Sequence, residues 1–177
     1  MSKCVFATSK VEYLGHVISA QGVATDPTKI EAMASWPEPK TIKQLRGFLG
    51  LAGYYRRFIQ GYASISAPLT QLLKKDAFKW SNEASLAFQK LKQQMIQAPV
   101  LALPDFKKEF TIETDASGIG IGAILQQGGY PIAYMSKTLS SQHQSLSTYE
   151  KEFLAVIIAL DKWRGYLLDR HFKIKYQ

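Results

Sequence analysis

The sequence predicts an α+β protein: a helical first part of residues 1–104, then residues 105–177 as a β-sheet carrying one helix. Two observations predict it. From Glu109 to Thr114 the chain alternates, with Phe110 and Ile112 on one face and Glu109 and Glu113 on the other, and apolar chain resumes from Ile119 to Leu125. Upstream, two long segments carry apolar residues at helical spacing behind the capping residues Thr41 and Ser81. Charge is also unevenly divided. Residues 1–104 hold 13 Lys and Arg against 6 Asp and Glu, or +7, whereas residues 105–177 hold 9 against 8, or +1.

Taken in order, residues 3–21 read as a hairpin, with KCVF as one strand, ATSK as the turn and VEYLGHVIS as the second strand. Gly15 within that run predicts a bulge or a close approach of another backbone. Asp26-Pro27 starts a helix with Ile30, Met33 and Ala34 as its apolar stripe, and Trp36-Pro37-Glu38-Pro39 stops it. The next helix runs from Thr41 to about Gln60 and buries Leu45, Phe48, Leu49, Ala52, Tyr55 and Ile59. Its other side carries Gly47, Gly50 and Gly53, rimmed by Lys43, Arg46, Tyr54, Arg56 and Arg57. A bare, positively rimmed helix face suits close contact with either another helix or a nucleic-acid groove. Ser64 to Leu73 is a shorter helix. Ser81 to about Gln97 is a longer one with Leu86, Phe88, Leu91 and Met95 as core and with Lys90 and Lys92 in solvent. Val100 to Phe106 is an extended connector.

Strands follow on both sides of Asp115 to Gly118. Gln126-Gln127-Gly128-Gly129 is a hairpin turn, Tyr130 to Met135 a third strand, and Ser136 to Ser145 a polar loop. Ser147, with Glu150 three residues on, has the pattern of a capping box for a helix reaching about Arg164. Tyr149, Phe153, Val156, Ile157 and Leu160 are its expected apolar face, and His171 to Lys175 begin a fourth strand. On local pattern alone Asp115 reads first as a turn residue. A strand-end carboxylate with small neighbours is the alternative.

Composition narrows the classes. With 46% hydrophobic and 12% aromatic residues, the chain is of folding, globular type. No apolar run approaches a membrane span and MSKCVFATSK has no signal-like core, so the default location is cytoplasmic. A single cysteine, Cys4, excludes an internal disulfide, and His16, His143 and His171 show no metal-ligand spacing. The basic first part predicts a polyanionic partner.

The segments FTIETDASGIGIGAIL, PIAYMSKTLS, STYEKEFLAVIIALDKWRGYLL and RHFKIK resemble the ribonuclease H domain of gypsy-type LTR retrotransposon polyproteins. Upstream, VEYLGHVIS, TDPTKIEAMASWPEPKTIKQLRGFLGLAGYYRRFI and APLTQLLKK resemble the end of the reverse transcriptase palm, the thumb and the connection. The resemblance covers residues 3–175. It implies a truncated ribonuclease H-like mixed β-sheet with one packed helix behind a thumb and connection. It further implies Mg²⁺-dependent, two-metal hydrolysis of RNA in an RNA–DNA hybrid, with Asp115 and Glu152 as catalytic and metal-holding carboxylates. Lys43, Arg46, Gly50, Tyr54, Arg56 and Arg57 become the nucleic-acid contacts, the track Arg46-Gly50-Tyr54 lying in the minor groove.

There are departures from the family pattern. Where the family has a third carboxylate after Ile-Lys, this chain has Tyr176-Gln177. The fourth carboxylate, the later elements and the polymerase tyrosine-x-Asp-Asp motif do not occur in it. The expectations are therefore an incomplete metal site, no polymerisation, weak or absent cleavage, and an open sheet edge of marginal stability. Either the rest of a polyprotein or a second subunit is an expected partner.

Overall fold

The computed structural model describes residues 8–176. Among these the fold is α+β, with a three-stranded antiparallel sheet, a mixed four-stranded sheet and seven α-helices. The predicted KCVF strand lies outside the described residues. The predicted second strand is in fact two. β1 (Lys10–Tyr13) and β2 (His16–Ser19) pair around a two-residue turn at Leu14-Gly15, with φ of 48° and 74°. Both values belong to the left-handed region such a hairpin turn requires, so Gly15 makes a turn and not a bulge. β3 (Gly22–Thr25) completes the sheet.

Asp26 caps α1 (Pro27–Ala34) by accepting from the Thr28 amide. Met33 is buried and Ile30 packs beside it, but Ala34 faces solvent. Thr41 caps α2 (Ile42–Tyr54) by accepting from the Gln44 amide at 3.2 Å. The helix ends six residues earlier than the periodicity predicts, because Arg56–Phe58 tighten into a 3₁₀ turn. All six predicted core residues, including Tyr55 and Ile59 beyond the helix end, are buried. α3 (Tyr62–Gln71) and α4 (Asn82–Ile96) close this core around Phe58, Leu69, Phe88, Leu91 and Met95. Leu86 is the exception at 72% exposed, and the small Ala84 and Ala87 hold the buried face in its place. Lys92 is not simply solvated: its ammonium donates to the Trp36 carbonyl at 2.9 Å and lies 5.3 Å from the Phe88 ring centre.

The connector is extended and stitched on both sides. Leu101 exchanges two 2.8 Å backbone bonds with Val23, and the Ala102 amide donates to the Pro131 carbonyl at 2.7 Å. Gly22 is obligatory at this seam, since a side-chain carbon there would sit 2.1 Å from the Leu101 carbonyl oxygen.

The four-stranded sheet has the order β6-β5-β4-β7, from β4 (Phe110–Ala116), β5 (Gly120–Gln127), β6 (Tyr130–Thr138) and β7 (Phe172–Tyr176). β4 and β7 are parallel, which requires the crossover through α6 (Thr148–Lys162). The predicted polar loop is partly ordered as the end of β6 and α5 (Ser141–Gln144), and a short α7 (Arg164–Leu167) follows α6. Both halves of the Ser147–Glu150 capping box form.

The expected apolar face of α6 is largely wrong. Tyr149, Phe153 and Ile157 are 77%, 57% and 48% exposed, while Ala155, Val156 and Ala159 are buried on the sheet. Small residues let the helix lie close on β4 and β5, and that proximity turns the larger side chains outward. No helix among the described residues is long and apolar enough to cross a membrane.

Candidate nucleic-acid interface and carboxylate cleft

The outer face of α2 exposes Lys43, Arg46, Gly47 and Gly50, with Tyr54 at its end and Arg56 and Arg57 in the turn beyond. The three glycines differ. A side-chain carbon at Gly53 would lie 3.3 Å from the Tyr62 hydroxyl and one at Gly47 3.6 Å from the Trp36 ring, so both back onto packed neighbours. At Gly50 nothing lies within 4 Å. Helix packing therefore accounts for Gly53, and the backbone at Gly50 is open to the outside.

Tyr54 is half-exposed yet fixed. Its hydroxyl donates to the Leu14 carbonyl, and its ring stacks on His16 with centroids 5.4 Å apart. Tyr55 donates to the Gly15 carbonyl at 2.6 Å. The two tyrosines thus tie the β1–β2 turn to the end of α2, forty residues on in the chain. Arg57 reaches the other way, its guanidinium 3.5 Å from the Ile132 carbonyl of β6.

His16 sits among Tyr54, Tyr55 and Phe58, and its Nδ1 is buried with no hydrogen-bond partner among the described residues. Burial lowers its pKa from the ordinary 6.5, and the positive Arg57 adds to the effect. A histidine held neutral in this way contributes stability above the unfolded value and loses it as pH falls from 6.5 toward the folded value. Urea midpoints are expected to fall between neutral and mildly acidic pH, and His16→Phe is expected to flatten that dependence. An unchanged slope in the variant would show that His16 does not titrate with folding.

A cleft of about 530 Å³ separates the helical part from the sheet. β4 contributes Glu113 and Asp115, the following turn Ser117, β5 its bare Gly120 and Gly122, and α4 contributes Lys90 and Gln94. Asp115 is paired with Gly122 across the ladder and is exposed. Its carboxylate has no hydrogen-bond or ion-pair partner among the described residues. Glu113 accepts from the Gln126 amide at 2.8 Å. The alternation of β4 buries Ile112 and Thr114 on the α6 side and turns Glu113 and Asp115 to the cleft. α3 closes one end of the cleft: the Ala63 amide donates to Ser136 Oγ at 2.8 Å, and a side-chain carbon at Gly120 would lie 3.1 Å from Ser64 Oγ.

Glu152, in the second turn of α6, is half-buried and does not line this cleft. No group of three or more His, Cys, Asp or Glu suited to a metal gathers among the described residues. The structure thus places Asp115 on the cleft and Glu152 on α6, the helix that packs on β4. Glu150 is occupied by its cap, accepting from the Ser147 amide and hydroxyl at 2.8 and 2.7 Å, which lowers its pKa. The sequence reading missed Lys90 as a cleft residue. No sequence signal marks it, since it lies off the buried stripe of α4 like any solvated lysine.

Residues 80–174 match the family described as an RNase H-like domain found in reverse transcriptase. The chain is 44% identical over 178 residues to a retrovirus-related Pol polyprotein from transposon 297 of Drosophila melanogaster, covering 98% of this chain. It is 41% identical over 178 residues to the Pol polyprotein from transposon gypsy of the same organism, covering 93%. It spans 17% of the length of either relative. A foamy viral protease–reverse transcriptase, solved in complex with an RNA/DNA hybrid, superposes over 95% of this chain and 24% of its own, with a TM-score of 0.84 at 22% identity. That likeness establishes the fold. The chain belongs to the RNase H-like domain family of reverse transcriptases, in the form found in gypsy-type LTR retrotransposon Pol polyproteins.

Proposed function

We propose that residues 1–104 are the end of the palm, the thumb and the connection of a reverse transcriptase, that residues 105–177 are the N-terminal half of its ribonuclease H domain, and that the chain grips an RNA–DNA hybrid. The observation that carries the reading is the outer face of α2, where the backbone at Gly50 is open while Arg46 and Tyr54 stand one turn to either side. A hybrid has a wide, shallow minor groove, where shape and sugar–phosphate contacts dominate. Gly50 lets the helix backbone approach that groove. Tyr54, immobilised by Leu14 and His16, presents a rigid ring edge at little entropic cost. Lys43, Arg46 and Arg56 then meet phosphates without reading sequence, while Arg57, turned to the Ile132 carbonyl, stands outside that track.

Asp115 and Glu152 are the residues that would hold Mg²⁺. Carboxylate oxygens suit this hard cation, and the exposed, unpartnered Asp115 is open to it. When bound in pairs, such ions activate a water and stabilise the leaving oxygen of a phosphodiester. The chain's own contribution is to hold the strand near Asp115. A non-catalytic hybrid-binding module is the second reading, favoured by there being no group of three or more possible metal ligands among the described residues.

The test is a labelled RNA–DNA hybrid incubated with the chain in Mg²⁺, then in Mn²⁺, scoring retention and cleavage beside Asp115→Asn. Retention that weakens steeply with salt is expected, with cleavage weak or absent. Cleavage that disappears in the variant would establish the enzyme reading over the module. Absence of retention at low salt would overturn the hybrid-binding proposal.

A further inference from the structure

We infer that Lys90 holds one backbone phosphate of the bound nucleic-acid strand inside the cleft, across from Asp115. This rests on the hybrid-binding reading above and adds a second contact surface to it, outside the α2 track. Lys90 is exposed on α4, lines the same cleft as Glu113 and Asp115, and forms no ion pair among the described residues. The cleft, at about 530 Å³, is of the size that small ligands occupy, so a nucleotide-sized group fits between its walls. The β4 wall is anionic and would repel a lone phosphate. A positive charge on the opposite wall removes that penalty and fixes the side on which the phosphate lies. Gln94, one turn along α4, and Gln60 supply neutral donors and acceptors for sugar or base. Gly122, beside Asp115 in the ladder, leaves that part of the sheet wall bare, so the strand approaches backbone rather than a side chain there.

The experiment uses the full chain and a labelled hybrid over a salt series. Lys90→Gln is expected to weaken binding several-fold at low salt. It should also reduce the slope of log affinity against log salt by roughly 0.7–0.9, the value for one phosphate contact. Lys90→Arg is expected to restore the slope. A second measurement localises the contact: Lys90→Cys in a Cys4→Ser background, offered hybrids with a thiol tether on one backbone phosphate at a time. Crosslinking is expected at one or two adjacent positions. Uniform crosslinking, or none, overturns the inference. If the unsubstituted chain is retained and Lys90→Gln leaves the slope unchanged, this inference alone fails. If the unsubstituted chain is not retained at all, the hybrid-binding reading falls and takes the inference with it.

Discussion

Phe48→Ala is expected to cost the helical part about 3–5 kcal/mol, the range for truncating a fully buried aromatic ring. Phe48 has no exposed surface and packs on Phe88 with ring centroids 4.5 Å apart, with Trp36 edge-on at 6.1 Å. It joins α2 to α4, so the cavity would open between two helices whose positions are fixed by other contacts and which cannot collapse into it. A loss of this size is a large share of the roughly 5–15 kcal/mol that stabilises an ordinary domain. Urea denaturation followed by tryptophan fluorescence measures it. In a Trp163→Phe background the signal comes from Trp36 and Trp80, both packed in this core, rather than from the core under the sheet. Leu86→Ala, at an exposed position of α4, is the control and should stay within about 0.5 kcal/mol of the parent. A Phe48→Ala loss below about 1 kcal/mol would mean that the ring is not closely packed.

Gly50→Leu separates stability from binding. The position is interior to α2 and open on its outer side, so replacing glycine with leucine should stabilise the helix by about 0.5–0.8 kcal/mol, a little less than alanine would. The same side chain would hold the helix backbone off a groove. Hybrid affinity is expected to fall by about tenfold or more, equivalent to ~1.4 kcal/mol. The combination of a higher urea midpoint with weaker binding is hard to obtain from unfolding, which moves both the same way. Gly53→Ala should show no comparable gain, because its side-chain carbon would crowd the Tyr62 hydroxyl at 3.3 Å. Full hybrid affinity in Gly50→Leu would remove α2 as the nucleic-acid face.

Much of the fold was legible because its signals are local. Asp26, Thr41, Ser81 and Ser147 each cap the helix they were expected to cap. The strand–turn–strand around Asp115 and the Gly128-Gly129 turn follow from alternation and from residues that tolerate positive φ. Reading Leu14-Gly15 as an interruption rather than a reversal failed for a long-range reason. Leucine is a poor choice for a left-handed turn position, and the turn is held there by Tyr54 and Tyr55 from forty residues on.

The sequence by itself determined helices α1 to α4 and α6, strands β4 to β7, their order, the family, and the residues of the α2 face, but not the β1–β2 reversal, β3, α5 or α7. Those properties are set within a few residues, or by patterns that survive without knowing the neighbours. Only the tertiary structure decided which side of α6 is buried, which of three similar glycines is open, and that Lys90 lies across a cleft from Asp115. Periodicity reports that a helix has an apolar side. It does not report the closeness of the surface beneath, and on this sheet that closeness selected alanines over aromatics. A cleft is formed by two elements at a fixed distance, and that distance is set by the packing of α3 against β6 and the Ala63–Ser136 hydrogen bond rather than by Lys90 or Asp115.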